Sequence, residues 1–134
     1  MTEERRMGVT RLAKRVQAAV VLAIIAASPA LAEGDAAAGE KVYKKCKTCH
    51  SLEAGKNKLG PNLAGIFGRQ AGSVEGYKYS AAMASSGIVW DEATLDAFVA
   101  KPKDVVPKTK MAFAGLKKEV QRQDLIAYLK EAAQ

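Results

Sequence analysis

Apolar positions recur at helical spacing in three parts of this chain and lose that rhythm between them. Asp35 suits a helix N-cap, and Gly39, Val42 and Tyr43 after it mark one inner face; together they predict a helix from Ala36 to Cys46. Asp91 is a second capping residue, and Leu95, Phe98 and Val99 predict a helix from Glu92 to Ala100. Pro102 ends it by restricting Lys101. The third helix runs from about Lys117 or Lys118 to Ala132, with Leu125, Ile126, Tyr128, Leu129 and Ala132 as its apolar stripe. Residues 51–80 are rich in Gly, Lys, Asn and Pro and read as loops and turns. Ser80 to Ser86 have room for one or two helical turns, and Lys103 to Gly115 return to loop. No segment alternates as a strand does. The pattern therefore predicts a mainly α fold of three main helices plus short turns. So long a loop region is out of proportion in a small domain unless it drapes over a ligand.

The first 32 residues follow a different rule. Arg5, Arg6, Arg11, Lys14 and Arg15 form a basic stretch, and Ala18 to Ala27 are uninterruptedly apolar. Ser28 and Pro29 break the run, and Ala30-Leu31-Ala32 has the small-residue pattern of a cleavage site. These are the three regions of a secretory signal peptide, and the apolar run is short for a membrane anchor. The expected division is a cleaved signal over 1–32 and one domain over 33–134, starting at Glu33.

Removing the signal changes the charge. The whole chain carries +7, whereas residues 33–134 hold 16 Lys or Arg against 12 Asp or Glu, a net +4. Residues 41–58 contain six Lys and one Glu, and residues 101–118 contain six Lys and one Asp. The stretch between them is net acidic. Two basic segments of one exported chain, without any nucleic-acid motif, point to acidic protein partners and away from nucleic acid.

The candidate chemistry sits in the first basic segment. Residues 46–50 read Cys46-Lys47-Thr48-Cys49-His50, and the chain has no other cysteine or histidine. C-x-x-C-H is the spacing of covalent c-type haem attachment. Two intervening residues let one turn present both thiols to neighbouring vinyl groups, and the next residue sets an imidazole beneath the iron. A disulfide or a thioredoxin-like pair would use the same cysteines, but the latter expects a βαβ context that is missing here. Zinc usually takes four ligands, and there is no second Cys/His pair. Export fits haem attachment, which takes place outside the cytoplasm.

With a single histidine, bis-histidine ligation within the chain is excluded. Residues 33–134 offer Met83 and Met111 as a soft, neutral second ligand. Met83 lies among small residues on a predicted helical turn, where a methionine usually packs in the core. Met111 lies in the loop Pro107 to Gly115, stiffened by Pro107 and anchored by helices on both sides, and is the expected ligand.

At this point the chain resembles the class I cytochromes c of the mitochondrial-like kind, with bacterial members of the c2 or c-550 type. The resemblance covers residues 34–134. Its carriers are Cys46–His50, Gly60-Pro61-Asn62-Leu63, Phe67-Gly68-Arg69, Gly87-Ile88-Val89-Trp90, Pro107–Gly115 and Asp124-Leu125-Ile126-Ala127-Tyr128-Leu129. It implies a cytochrome c fold wrapped around one haem c, joined through Cys46 and Cys49, with His50 and Met111 as axial ligands. It further implies that the Pro61 carbonyl accepts the second imidazole N–H. Arg69, Tyr79, Trp90 and Thr109 would serve the haem propionates, and Phe113 would cover the haem edge. Gly39 and Tyr43 would meet Leu125 and Tyr128 where the first and last helices cross. Two positions depart from the pattern. Phe98 stands where many members carry a tyrosine that donates to the methionine sulfur, and Met83 stands where an Asn is common. Both make the pocket less polar.

The function so implied is one-electron transfer by a periplasmic carrier, not an enzyme, because a six-coordinate iron has no open site. The implied partners are acidic redox proteins, such as a cytochrome bc1 complex as donor and a terminal oxidase or photosynthetic reaction centre as acceptor. A monomer would meet them transiently through a ring of lysines. The rival readings are a peroxidase-like haem enzyme and a dedicated subunit of a larger complex.

Overall fold

The computed structural model describes residues 33–134, so the expected signal peptide lies outside the described residues. Five helices follow in order: α1 Ala36–Tyr43, α2 Ala81–Ala84, α3 Glu92–Ala100, α4 Pro102–Val105 and α5 Glu119–Ala132. Among the described residues the sole β pairing is an isolated antiparallel bridge between Gln70 and Val89. The expected mainly helical class is what the chain adopts.

Local chemistry accounts for the boundaries. The Asp35 carboxylate accepts from the Ala37 and Ala38 amides at 2.8 and 3.1 Å and starts α1. The expected helix to Cys46 stops earlier, at Tyr43, and mixed turns follow: Tyr43 O accepts Cys46 N at 2.7 Å and Lys47 N at 3.0 Å, and Cys46 O accepts Cys49 N at 3.0 Å. Ser80 caps α2 through the Met83 amide. Asp91 and Thr94 form a reciprocal capping box on α3, with bonds of 2.7 and 2.8 Å. The stretch after Pro102 is not loop throughout. Proline at the first helical position, where no N–H is needed, opens the short helix α4.

α1 and α5 cross and pack together, and α3 packs on α5 and α4. The crossing depends on Gly39. A Cβ there would lie 1.9 Å from the Asp124 carbonyl oxygen, so only glycine lets the two backbones meet. The Asp124 side chain accepts the Asp35 amide at 2.8 Å. Arg122 binds Asp96 of α3 at 2.8 Å and the Leu116 carbonyl at 3.0 Å, which fixes the entry to α5. Val42, Tyr43, Trp90, Leu95, Phe98, Val106, Leu125 and Leu129 belong to the buried core. Met83 is buried in it as well, the packing role expected of it, and the Phe98 ring stands 5.0 Å from that of Trp90.

Candidate haem site

The turns after α1 bring Cys46, Cys49 and His50 together. The Cys46 carbonyl accepts both the Cys49 amide and the His50 amide, at 3.0 and 2.9 Å. Both cysteines are half-buried free thiols, and no disulfide joins them. Burial pushes the Cys46 thiol up, and neighbouring Cys49 adds to this against the lowering effect of Lys45. A raised thiol is the opposite of an activated redox cysteine. Among the described residues no group of three or more His, Cys, Asp or Glu side chains is placed to hold a metal ion, so a zinc cluster has no ligand set.

The imidazole of His50 is held on two sides. Its Nδ1 lies 2.7 Å from the Pro61 carbonyl, which fixes the ring and leaves Nε2 available. Gly60 lies against the ring itself, where a Cβ would come within 2.5 Å of Cε1. Burial lowers the His50 pKa; the Pro61 hydrogen bond opposes this, and Arg69 and Lys58 lower it further. The lowering favours the neutral imidazole, the form that binds iron.

Met111 is half-buried and packs against the core from the loop after α4. Its amide donates to Thr109 Oγ1 at 3.3 Å, and Thr109 is itself buried. At the ends of this loop, Thr109 N bonds Val106 O at 3.0 Å and Leu116 N bonds Val99 O at 2.8 Å. Phe113 is half-buried, and with Lys101, Pro102, Lys103, Asp104 and its neighbours Ala112 and Ala114 it lines a groove of about 480 Å³ to which Cys46, Cys49, His50 and Met111 do not contribute.

Arg69 and Trp90 stand side by side on the main chain. Trp90 N donates to Arg69 O at 2.9 Å, and Gly68 N donates to Trp90 O at 2.7 Å. The guanidinium gives two bonds, to the Ala64 and Asn62 carbonyls at 2.7 and 3.0 Å, while its buried Nε has no partner. Tyr79 accepts the Val74 amide at 3.2 Å. Burial lowers the Arg69 pKa, with nearby Tyr79 opposing, and burial raises that of Tyr79. A buried, unsatisfied guanidinium N–H is costly unless an acceptor arrives. It therefore fits a bound carboxylate, such as a haem propionate. Two free thiols, a neutral ring with one open nitrogen and this orphan donor form a donor set that suits haem c.

Three contributors escaped the sequence reading. The Tyr43 hydroxyl donates to the His50 carbonyl at 3.2 Å. Gly60 was visible only as part of a Gly-Pro motif. Asn57 accepts from both the main-chain and side-chain N–H of buried Asn62, at 3.0 and 2.9 Å, and steadies the segment around Pro61. A phenol on the inner face of α1, seven residues before the histidine, was the available signal for the first.

Comparison with known proteins agrees with this assembly. The cytochrome c family model matches residues 36–133. Cytochrome c2 of Blastochloris viridis is 50% identical over 113 residues, covering 82% of this chain and 88% of that protein. Cytochrome c2 iso-2 of Magnetospirillum fulvum is 55% identical over 88 residues, covering 66% and 92%. In structure the chain is similar to cytochrome cH from Methylobacterium extorquens, with a TM-score of 0.68 and 48% identity over 72% of this chain and 98% of that one. With Cys46 and Cys49 at the spacing of covalent haem attachment, the chain belongs to the cytochrome c family, whose members bind haem c and carry electrons.

Proposed function

We propose that this protein is an exported, diffusible one-electron carrier of the periplasm, with His50 and Met111 as the axial ligands of its haem. The observation that carries the reading is the hold on His50: a ring fixed through Nδ1 by Pro61 and backed by Gly60, with Nε2 free beside two free thiols. Cys46 and Cys49 form the thioethers. Met111 is the second ligand because Met83 is committed to the core, whereas Met111 sits in a loop tied at both ends.

When bound, the haem supplies the Fe(II)/Fe(III) couple. This chain's residues set its conditions. Pro61 and Gly60 keep the imidazole still, so little rearranges when charge changes. Arg69 offers Nε to a propionate, with Tyr79, Trp90 and Thr109 around it, and Phe113 closes the edge. Lysines of the two basic segments steer acidic partners, such as a cytochrome bc1 complex and a terminal oxidase or reaction centre, into short-lived encounters.

Convergence of those segments is supported by a chain of contacts. Lys58 Nζ donates to Lys47 O at 2.6 Å, the Tyr77 hydroxyl donates to Leu59 O at 2.8 Å, and Lys110 Nζ lies 4.7 Å from the Tyr77 ring centre and bonds the Lys78 carbonyl. Export is supported by the signal-like first 32 residues, and among the described residues no helix is long and apolar enough to cross a membrane.

The test is spectroscopic. The ferric protein shows the far-red methionine–iron band, Met111→Ala abolishes it, Met83→Leu retains it, and the reduced wild type does not bind carbon monoxide. Carbon monoxide binding by the wild type would instead favour an enzyme with an open site.

A further inference from the structure

We propose that Tyr43 is a positioning residue for the haem ligand, its hydroxyl fixing the main chain of His50 to the crossing of α1 and α5. The inference rests on the reading of His50 as an iron ligand and adds a restraint that Pro61 does not supply. Pro61 and Gly60 act on the ring. The main chain of His50 is a separate problem, because it lies seven residues beyond the end of α1. Its amide is used by Cys46 O, but among the described residues no main-chain N–H reaches its carbonyl. The Tyr43 hydroxyl fills that vacancy at 3.2 Å.

The phenol suits the task. Tyr43 is 7% exposed, and its ring packs against that of Tyr128 at 5.4 Å, beside the Gly39–Asp124 contact. Its frame of reference is therefore a place where two backbones touch and no side chain fits between them. Deleting the oxygen leaves an aromatic ring of almost the same shape. The core is kept and only the tether is lost.

The experiment compares Tyr43→Phe with Tyr128→Phe in the haem-loaded protein. Tyr128 is the control because it shares the crossing but gives His50 no hydrogen bond. In the ferric state, paramagnetic NMR of the haem methyls reports the angle of the imidazole plane, and amide exchange at His50 reports how often the segment opens. Tyr43→Phe is expected to redistribute the methyl shifts and to speed His50 exchange about two- to tenfold, the range for loss of one hydrogen bond. Tyr128→Phe is expected to leave both unchanged. Wild-type shifts and exchange in Tyr43→Phe, or equal changes in both variants, would overturn the positioning role while leaving His50 as ligand. Survival of the histidine–iron signature in His50→Ala would overturn the ligand reading beneath it.

Discussion

Lys108 has a φ of 65°, and it is the one non-glycine with a left-handed backbone among the described residues. A side chain in that region costs about 1–2 kcal/mol, against about 0.5–1 kcal/mol that glycine loses through its freer unfolded state. Lys108→Gly should therefore raise stability by up to about 1 kcal/mol, read as a higher guanidinium midpoint. A lower midpoint would mean that the lysine side chain contributes more than its backbone costs. The position lies three residues before Met111, in a loop whose glycine-like geometry is invisible in the sequence. Other residues were more legible. Cys46, Cys49 and His50 announce themselves by spacing. The orphan Nε of Arg69 does not, because a sequence carries no record of which donors go unpaired.

At the scale of elements, helix starts were easier to read than helix ends. Asp35 and Asp91 make the caps expected of them, while the Ser80 cap on α2 is seen only in the structure. α1 ends three residues before the expected Cys46, where Tyr43 O shares itself between a turn bond and a ladder bond, and no residue type marks that choice. α4 was hidden for a related reason: Pro102 reads as a stop although it is equally good as a first helical residue. The α3 cap gives a pH prediction. Hydrogen bonds from the Thr94 amide and hydroxyl hold the Asp91 carboxyl below its ordinary value of 3.8. Its contribution is present above that ordinary value and is lost as pH falls through the lower, folded value. The melting-temperature gap between wild type and Asp91→Ala should thus be full near neutrality and close under acid; a gap constant down to pH 2 would refute the role of the charged cap. The α1–α5 crossing gives a second one. Gly39→Ala places a methyl against the Asp124 carbonyl and should cost about 3 kcal/mol, the upper range for overpacking. An unchanged midpoint in denaturant would show that the helices can part without loss.

Over the whole molecule, charge decides how the protein is met. Contacts through Tyr77 link the segment of Lys47 and Lys58 with that of Lys78 and Lys110, although the sequence separates them widely. Oxidation by a purified acidic redox partner should slow steeply as ionic strength rises, and Lys58→Gln or Lys110→Gln should flatten that dependence. Rates independent of salt would remove the steering role. The net +4 was plain from composition, but the contacts that bring Lys110 and Lys58 to the same tyrosine segment required the fold.

The bond from the Asp35 amide to the Asp124 carboxylate spans 89 positions and joins nearly the two ends of the described chain. During folding, therefore, the first helix cannot make this contact until the segment of Asp124 is present. A polypeptide whose opening and closing segments depend on each other stays open until both are present. Its thiols remain within reach of whatever attaches the haem. The timing of assembly is thus written into the geometry of the closing contact, and a chain cut short before Asp124 would have nothing to close upon.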